Sequence, residues 1–120
     1  MACMRVLIGL TVLLAAACSA PTVKEISGRP PVLTVAWPGD QKSAARCIVQ
    51  NLDELGWRSV VREFGSSTQV IWNGPGSFGI TRPIAVFEIT SGKIEMHAGL
   101  EMDNPGLVRQ AWKGKIAGCQ

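Results

Sequence analysis

The chain has 120 residues, a formal net charge of +3 and 47% hydrophobic residues, which leaves room for one small globular domain. That hydrophobic fraction argues against intrinsic disorder. There is also no run of Lys or Arg of the kind that contacts nucleic-acid phosphates. The sequence therefore predicts a folded domain with no nucleic-acid partner.

Residues 1–17 have the pattern of an export signal. An apolar stretch runs from Val6 to Ala17 behind Arg5. It is short for a membrane-spanning helix, which needs about 20 apolar residues. We therefore predict a signal peptide at residues 1–17.

The end of this stretch, Leu14-Ala15-Ala16-Ala17-Cys18, resembles the lipobox of bacterial lipoproteins. In that family the cysteine becomes the first mature residue, its thiol carries a diacylglycerol, and its amine is often acylated, for example with palmitate. The resemblance implies lipidation at Cys18 and anchoring to a membrane of the cell envelope. Because Ser19 rather than Asp follows, it implies the outer membrane, facing the periplasm.

The resemblance has one departure. The family usually has Leu three residues before the cysteine, where this chain has Ala15. An ordinary secretory signal peptide, cut after Ala17 or Ala20, is the alternative, as is a retained anchor.

Residues 18–31 are rich in proline, serine and glycine, a composition typical of extended linkers. We predict a lipidated N-terminus and flexible tether at 18–31, followed by one domain at 32–120. In that domain Val32–Trp37 is a predicted strand. Asp40 is placed to cap a helix from about Gln41 to Leu55, which Gly56 ends.

Four more strands are predicted at 58–64, 68–73, 83–90 and 93–98, the last two joined by a two-residue turn at Ser91-Gly92. That turn would place Ile89, Phe87 and Ala85 opposite Ile94, Met96 and Ala98 on the core face.

A final helix from Pro105 to about Ala117 is predicted, with Asn104 as its cap. The expected fold class is α+β: a small antiparallel sheet of about five strands in the order β-α-β-β-β-β-α. Both helices would lie on one face, and a disulfide would join them.

The disulfide follows from counting cysteines. Cys3 leaves with the signal peptide and Cys18 would carry lipid, so Cys47 and Cys119 remain for one bridge. Helical periodicity places both on buried faces. The alternatives are a redox-active pair, a metal site or two free thiols; however, the chain has no C-x-x-C, and one histidine leaves too few zinc ligands.

Residues 74–79 match the letters G-x-G-x-x-G. A dinucleotide site needs a helix after the third glycine, whereas a strand follows here, so we predict a long turn and no nucleotide. An exposed Phe78 in this turn, together with Trp72, would be available to contact a partner.

The outer face of the last hairpin places Glu88 opposite Glu95, with His97 two residues along. Such a group is a candidate for binding a metal ion or sensing pH. The alternative is an ordinary solvated strand face, with Arg62 or Lys93 supplying counter-charge.

No catalytic motif is present, so no cofactor is expected. The leading expectation is a non-enzymatic, lipid-anchored envelope module that binds another envelope protein or a cell-wall component. Two alternatives stay open: a periplasmic inhibitor of a lysozyme-type hydrolase, by analogy alone, and a small enzyme or metal site using Glu88, Glu95 and His97.

Overall fold

The computed structural model describes residues 21–75, 77–99 and 105–120. Five strands form one antiparallel sheet in the spatial order β1-β5-β4-β3-β2. The helices are α1 (Val23–Ser27), α2 (Gln41–Glu54) and α3 (Pro105–Ala117), and the strands are β1 (Leu33–Ala36), β2 (Arg58–Glu63), β3 (Thr68–Pro75), β4 (Thr81–Thr90) and β5 (Lys93–Ala98).

Both ends of α2 are fixed by local capping, as predicted. The Asp40 carboxylate accepts a 2.7 Å hydrogen bond from the backbone N–H of Ser43. Because this bond favours the charged carboxylate, it lowers the pKa of Asp40 below its ordinary value. At the other end Gly56 has φ +78°, and the backbone N–H of Trp57 donates to the carbonyl of Leu52 at 2.9 Å, which completes a Schellman cap.

The β4–β5 hairpin has the predicted register. Ile89 pairs with Ile94, and Glu88 pairs with Glu95. Gly92 takes φ +82° in the connecting turn, a conformation that costs glycine little. The prediction of this hairpin is confirmed.

The main core lies between the sheet and the pair α2 and α3, which cover the same face. Phe87 of β4 and Trp112 of α3 are at its centre, with ring centroids 4.7 Å apart. Other fully buried members are Ala44, Ile48, Leu52, Val70, Ala85, Ile89, Ile94, Met96 and Ile116. The predicted α+β class with two helices on one face is confirmed.

The bridge between Cys47 and Cys119 is present, with the two Cα atoms 5.9 Å apart. Cys47 lies on the buried side of α2, as predicted, whereas Cys119 is exposed beyond the end of α3. The second cysteine is therefore at the surface rather than on the buried side of its helix.

A second, smaller core lies on the opposite face of the sheet, where the sequence predicted no helix. The short helix α1 packs there, and Ile26 is completely buried against Ile71 and Val86. The expectation of a flexible tether over 18–31 is therefore wrong for Val23–Ser27, which form this packed helix. Val23 and Ile26, three residues apart, lie on one side of the helical turn and cover apolar side chains of β3 and β4.

The signal peptide, Cys18 and the cap at Asn104 lie outside the described residues. Pro105 is the first residue of α3, as predicted.

Candidate functional site

The turn between β3 and β4 presents the most exposed aromatic side chain of the described residues. Phe78 is 100% exposed and has φ +57°, a left-handed conformation that costs a non-glycine residue about 1–2 kcal/mol. Ser77–Gly79 forms one turn of 3₁₀ helix, and Gly79 also has a positive φ. The exposed Phe78 and the absence of an α-helix after Gly79 are as predicted. The turn is shorter than predicted, because Gly74 and Pro75 still pair with β4 as residues of β3.

A cleft of about 350 Å³ lies beside this turn, at the end of the sheet where the chain passes from α2 into β2. Trp57 contributes an apolar wall, while Arg58, Asn73 and Thr81 contribute a guanidinium group, an amide and a hydroxyl. Gly74 is buried, and Ile84 packs so closely against it that a Cβ at position 74 would overlap the Ile84 side chain. The cleft therefore offers one aromatic surface with several hydrogen-bonding groups.

Sequence reasoning missed this cleft. Its lining comes from the α2–β2 connection, the end of β3 and the start of β4, and no motif links these segments. The one local signal was the cap at Gly56, which reverses the chain so that Trp57 bonds back to Leu52 of α2.

Trp72, the second predicted partner contact, lies in an aromatic cluster on the helix-covered face. Its ring centroid is 5.5 Å from that of Trp57 and 6.1 Å from that of Trp112. Its indole Nε1 is buried without a hydrogen-bond partner. Most of its apolar surface therefore serves the core, and Phe78 is the better candidate for contact with another molecule.

The structure gives Glu88, Glu95 and His97 separate partners. Glu88 accepts a hydrogen bond from Gln69 at 3.0 Å, and Glu95 forms an ion pair with Lys93 at 3.2 Å. Lys93 is thus the counter-charge that the sequence suggested.

His97 is buried rather than solvated, which corrects the expectation of an open strand face. Its Nδ1 lies 2.7 Å from the carbonyl oxygen of Arg29, since the chain between α1 and β1 covers this position. Among the residues that the structure describes, no group of three His, Cys, Asp or Glu side chains is arranged to hold a metal ion. Within the described part of the chain, Glu88, Glu95 and His97 therefore do not form a three-ligand metal site.

A larger groove of about 560 Å³ runs between α2 and α3. The disulfide lines it, together with Trp37, Arg46, Asn51 and Lys115. The amide Nδ2 of Asn51 donates to the carbonyl of Cys47 at 2.9 Å. The bridge thus joins a core residue, Cys47, to exposed Cys119 at a solvent-accessible groove.

Comparison of the chain with protein-family models, curated proteins and solved structures finds no significant match. Of the helices in the described ranges, none is long and apolar enough to cross a membrane.

Proposed function

We propose that the chain is the precursor of a lipid-anchored protein of the bacterial envelope, a non-enzymatic binding module on the periplasmic side of the outer membrane. Residues 1–17 direct export, Cys18 carries the lipid, and the folded domain binds an envelope protein or cell-wall component. Two or more acyl chains are what make such anchoring stable, since each buried methylene contributes about 0.8 kcal/mol.

The disulfide supports export. Cys47 and Cys119 are bonded, and structural disulfides persist mainly in oxidising compartments such as the periplasm. In the cytoplasm the same pair would be kept reduced, and the small core would lose this constraint.

The observation that carries the binding role is Phe78. A phenylalanine that is 100% exposed gains nothing from folding, and its left-handed backbone adds a cost. Burying such a ring against an apolar partner contributes about 1.5–3 kcal/mol. We assign the Phe78 turn and the adjacent cleft as the contact surface for an apolar patch on an envelope protein, with Arg58 and Asn73 available at its margin.

The anchor is tested by mass spectrometry of the mature protein purified from membranes. The expected N-terminal residue is Cys18 carrying a diacylglyceryl thioether, with or without an acylated amine. An unmodified Cys18, at a terminus or inside a longer peptide, would remove the anchor from the proposal.

The contact surface is tested by placing a photo-cross-linking residue at position 78 in cells and identifying the captured protein by mass spectrometry. Position 64 is the matched control, since Phe64 is also an exposed phenylalanine, 57% exposed, but belongs to the β2–β3 turn. The captured protein, once purified, should bind F78A about 10- to 100-fold more weakly than the parent chain, with F64A unchanged. Equal capture of the same partner protein at both positions, or equal affinity of F78A, would refute the assignment; capture of a second copy of this chain at position 64 would not.

The narrower expectation of a lysozyme-type hydrolase inhibitor stays a prediction. Purified chain that leaves lysozyme activity unchanged at high concentration would remove it for that enzyme.

A further inference from the structure

The two edge strands of the sheet, β1 and β2, differ in how far other described residues cover their outward-facing backbone groups. At the β1 edge, side chains near α3 occupy outward-facing backbone carbonyls: Arg109 Nε donates to Val32 at 2.7 Å, and Gln120 Nε2 donates to Ala36 at 3.2 Å. β1 is also only four residues long, with prolines on both sides. These features block the addition of another strand.

The β2 edge has no such cover from the described residues. The backbone N–H of Phe64 donates to the carbonyl of Ser67 at 2.8 Å, which makes these two residues a hydrogen-bonded pair of the β2–β3 ladder. Because such pairs alternate along antiparallel strands, the N–H and C=O groups of Ser59, Val61 and Glu63 point away from β3. Across the described ranges, no hydrogen bond from another part of the chain reaches them.

Apolar side chains accompany this open edge on both faces. Val60 is 45% exposed and Val61 is 44% exposed, and alternation places them on opposite faces of the sheet. The strand contains no proline, glycine or lysine, and its charged residues carry both signs. The register shift in β3 at Trp72/Asn73 lies beside the first two residues of β2, whereas Val60 and Val61 pair with the regular stretch at Ile71 and Val70. An edge of this kind is a template for strand addition.

We propose that β2 pairs antiparallel with β2 of a second copy of this chain, joining two five-stranded sheets into one. A two-fold axis perpendicular to a continuous sheet preserves its faces, so some residue of β2 must lie opposite itself. The two central choices are Val60 and Val61.

Charge selects between these two registers. Centring the pair on Val60 places Arg58 opposite Arg62 of the second copy, and like charges directly opposite are destabilising. Centring it on Val61 instead places Ser59 opposite Glu63, Arg58 opposite Phe64 and Val60 opposite Arg62, so that no two like charges face each other. A hydroxyl facing a carboxylate and a guanidinium facing an aromatic ring are both favourable. The Val61 register is therefore the one that the sequence of β2 fits.

This pairing requires neither the lipid nor Phe78, so its failure would leave the proposed function untouched. The first test is sedimentation equilibrium of the full chain in density-matched detergent, compared with Val61→Pro. The Val61 amide points outward, so proline there removes no bond to β3, and near-UV circular dichroism checks that the fold is kept. We expect a reversible dimer that V61P converts to a monomer. A parent chain that is monomeric at all concentrations up to about 1 mM, a typical effective concentration for tethered partners, overturns the proposal.

A charge pair tests the register itself. Ser59→Lys would face Glu63 of the second copy twice per dimer and should tighten the dimer about two- to thirtyfold. Ser59→Glu should weaken it by a similar factor. A dimer constant that responds equally to both changes contradicts the Val61 register.

Amide hydrogen exchange distinguishes strand pairing through β2 from non-specific association in detergent, because only strand pairing protects alternate amides of β2. The amides of Val60 and Arg62 bond to β3 and should be protected at every concentration, whereas those of Val61 and Glu63 should become protected only as the dimer forms. Dimerisation without this alternating pattern would place the interface elsewhere and overturn the proposal.

Discussion

The Cys47–Cys119 bridge should supply a large part of the stability of the domain, and Cys119→Ala is the cleanest way to remove it. Cys119 is exposed and lies beyond α3, so the substitution removes little packing. Cys47, by contrast, is 3% exposed, and its replacement would also leave a cavity. The cost of C119A therefore reports mainly on the covalent link.

The expected cost comes from the length of the closed loop. The two cysteines are 72 residues apart, and on the chain-entropy account a loop of this size constrains the unfolded state by about 4 kcal/mol. Small domains have total stabilities of about 5–15 kcal/mol, so the loss is a large share of the total. The terminal part of α3 should loosen first, because the bridge is attached just beyond it and Ile116 is the last buried residue of the helix.

Urea unfolding followed by tryptophan fluorescence measures this cost. C119A and the parent chain under reducing conditions should agree, both about 4 kcal/mol below the oxidised parent. C47A should be lower still, and the double variant should match C47A, since both changes remove one bridge. A C119A variant within about 1 kcal/mol of the oxidised parent would refute the reasoning.

Ile26→Ala should cost about 2–5 kcal/mol in urea unfolding, because Ile26 is fully buried on the outer face; unchanged stability would mean that α1 is a tether after all. Gly74→Ala should cost about 1–3 kcal/mol because its Cβ overlaps Ile84, and an Ile84→Ala background should relieve part of that cost in a double-mutant cycle. Zinc should leave the NMR signals of the His97 ring in place, since the side chain is buried and the described residues place no two further His, Cys, Asp or Glu side chains beside it; a specific shift at equimolar zinc would contradict this. The lowered pKa of Asp40 means that its cap stabilises the fold above the unfolded-state pKa and loses this contribution as pH falls through the folded pKa. Asp40→Asn should keep the cap but flatten that acid-side slope in pH-dependent unfolding.

Signals that act over a few residues made much of the fold predictable. Asp40 and Gly56 set the ends of α2, and the two-residue turn at Ser91-Gly92 fixed the β4–β5 register. In each case the deciding hydrogen bonds join residues close in sequence, so composition and spacing carry the information.

The parts that could not be predicted depend on contacts distant in sequence. Alternation placed His97 on the outer face, but only the path of the chain from α1 to β1 buries it beneath Arg29. The role of Trp72 likewise depends on the tertiary fold, which brings the ring of Trp112 in α3 within 6.1 Å of that of Trp72 in β3. The cleft beside Phe78 has the same origin, since three separate segments meet there.

The exposed apolar side chains lie mostly on one side of the molecule. Of the large hydrophobic residues that the structure describes as exposed, all but Leu107 belong to β2, the end of α2 or the turns flanking β3: Leu55, Val60, Val61, Phe64, Phe78 and Ile80. The β1 side is instead closed by α3 and its polar side chains. A single exposed apolar residue needs no explanation, but the strand edge at β2 and the Phe78 turn each offer apolar surface for contact with another molecule. Arg58 belongs both to β2 and to the cleft, whereas Phe78 lies in the β3–β4 turn, so strand pairing through β2 would leave the Phe78 ring exposed. A V61P variant should therefore lose dimerisation and keep partner binding, F78A should do the reverse, and the double variant should lose both.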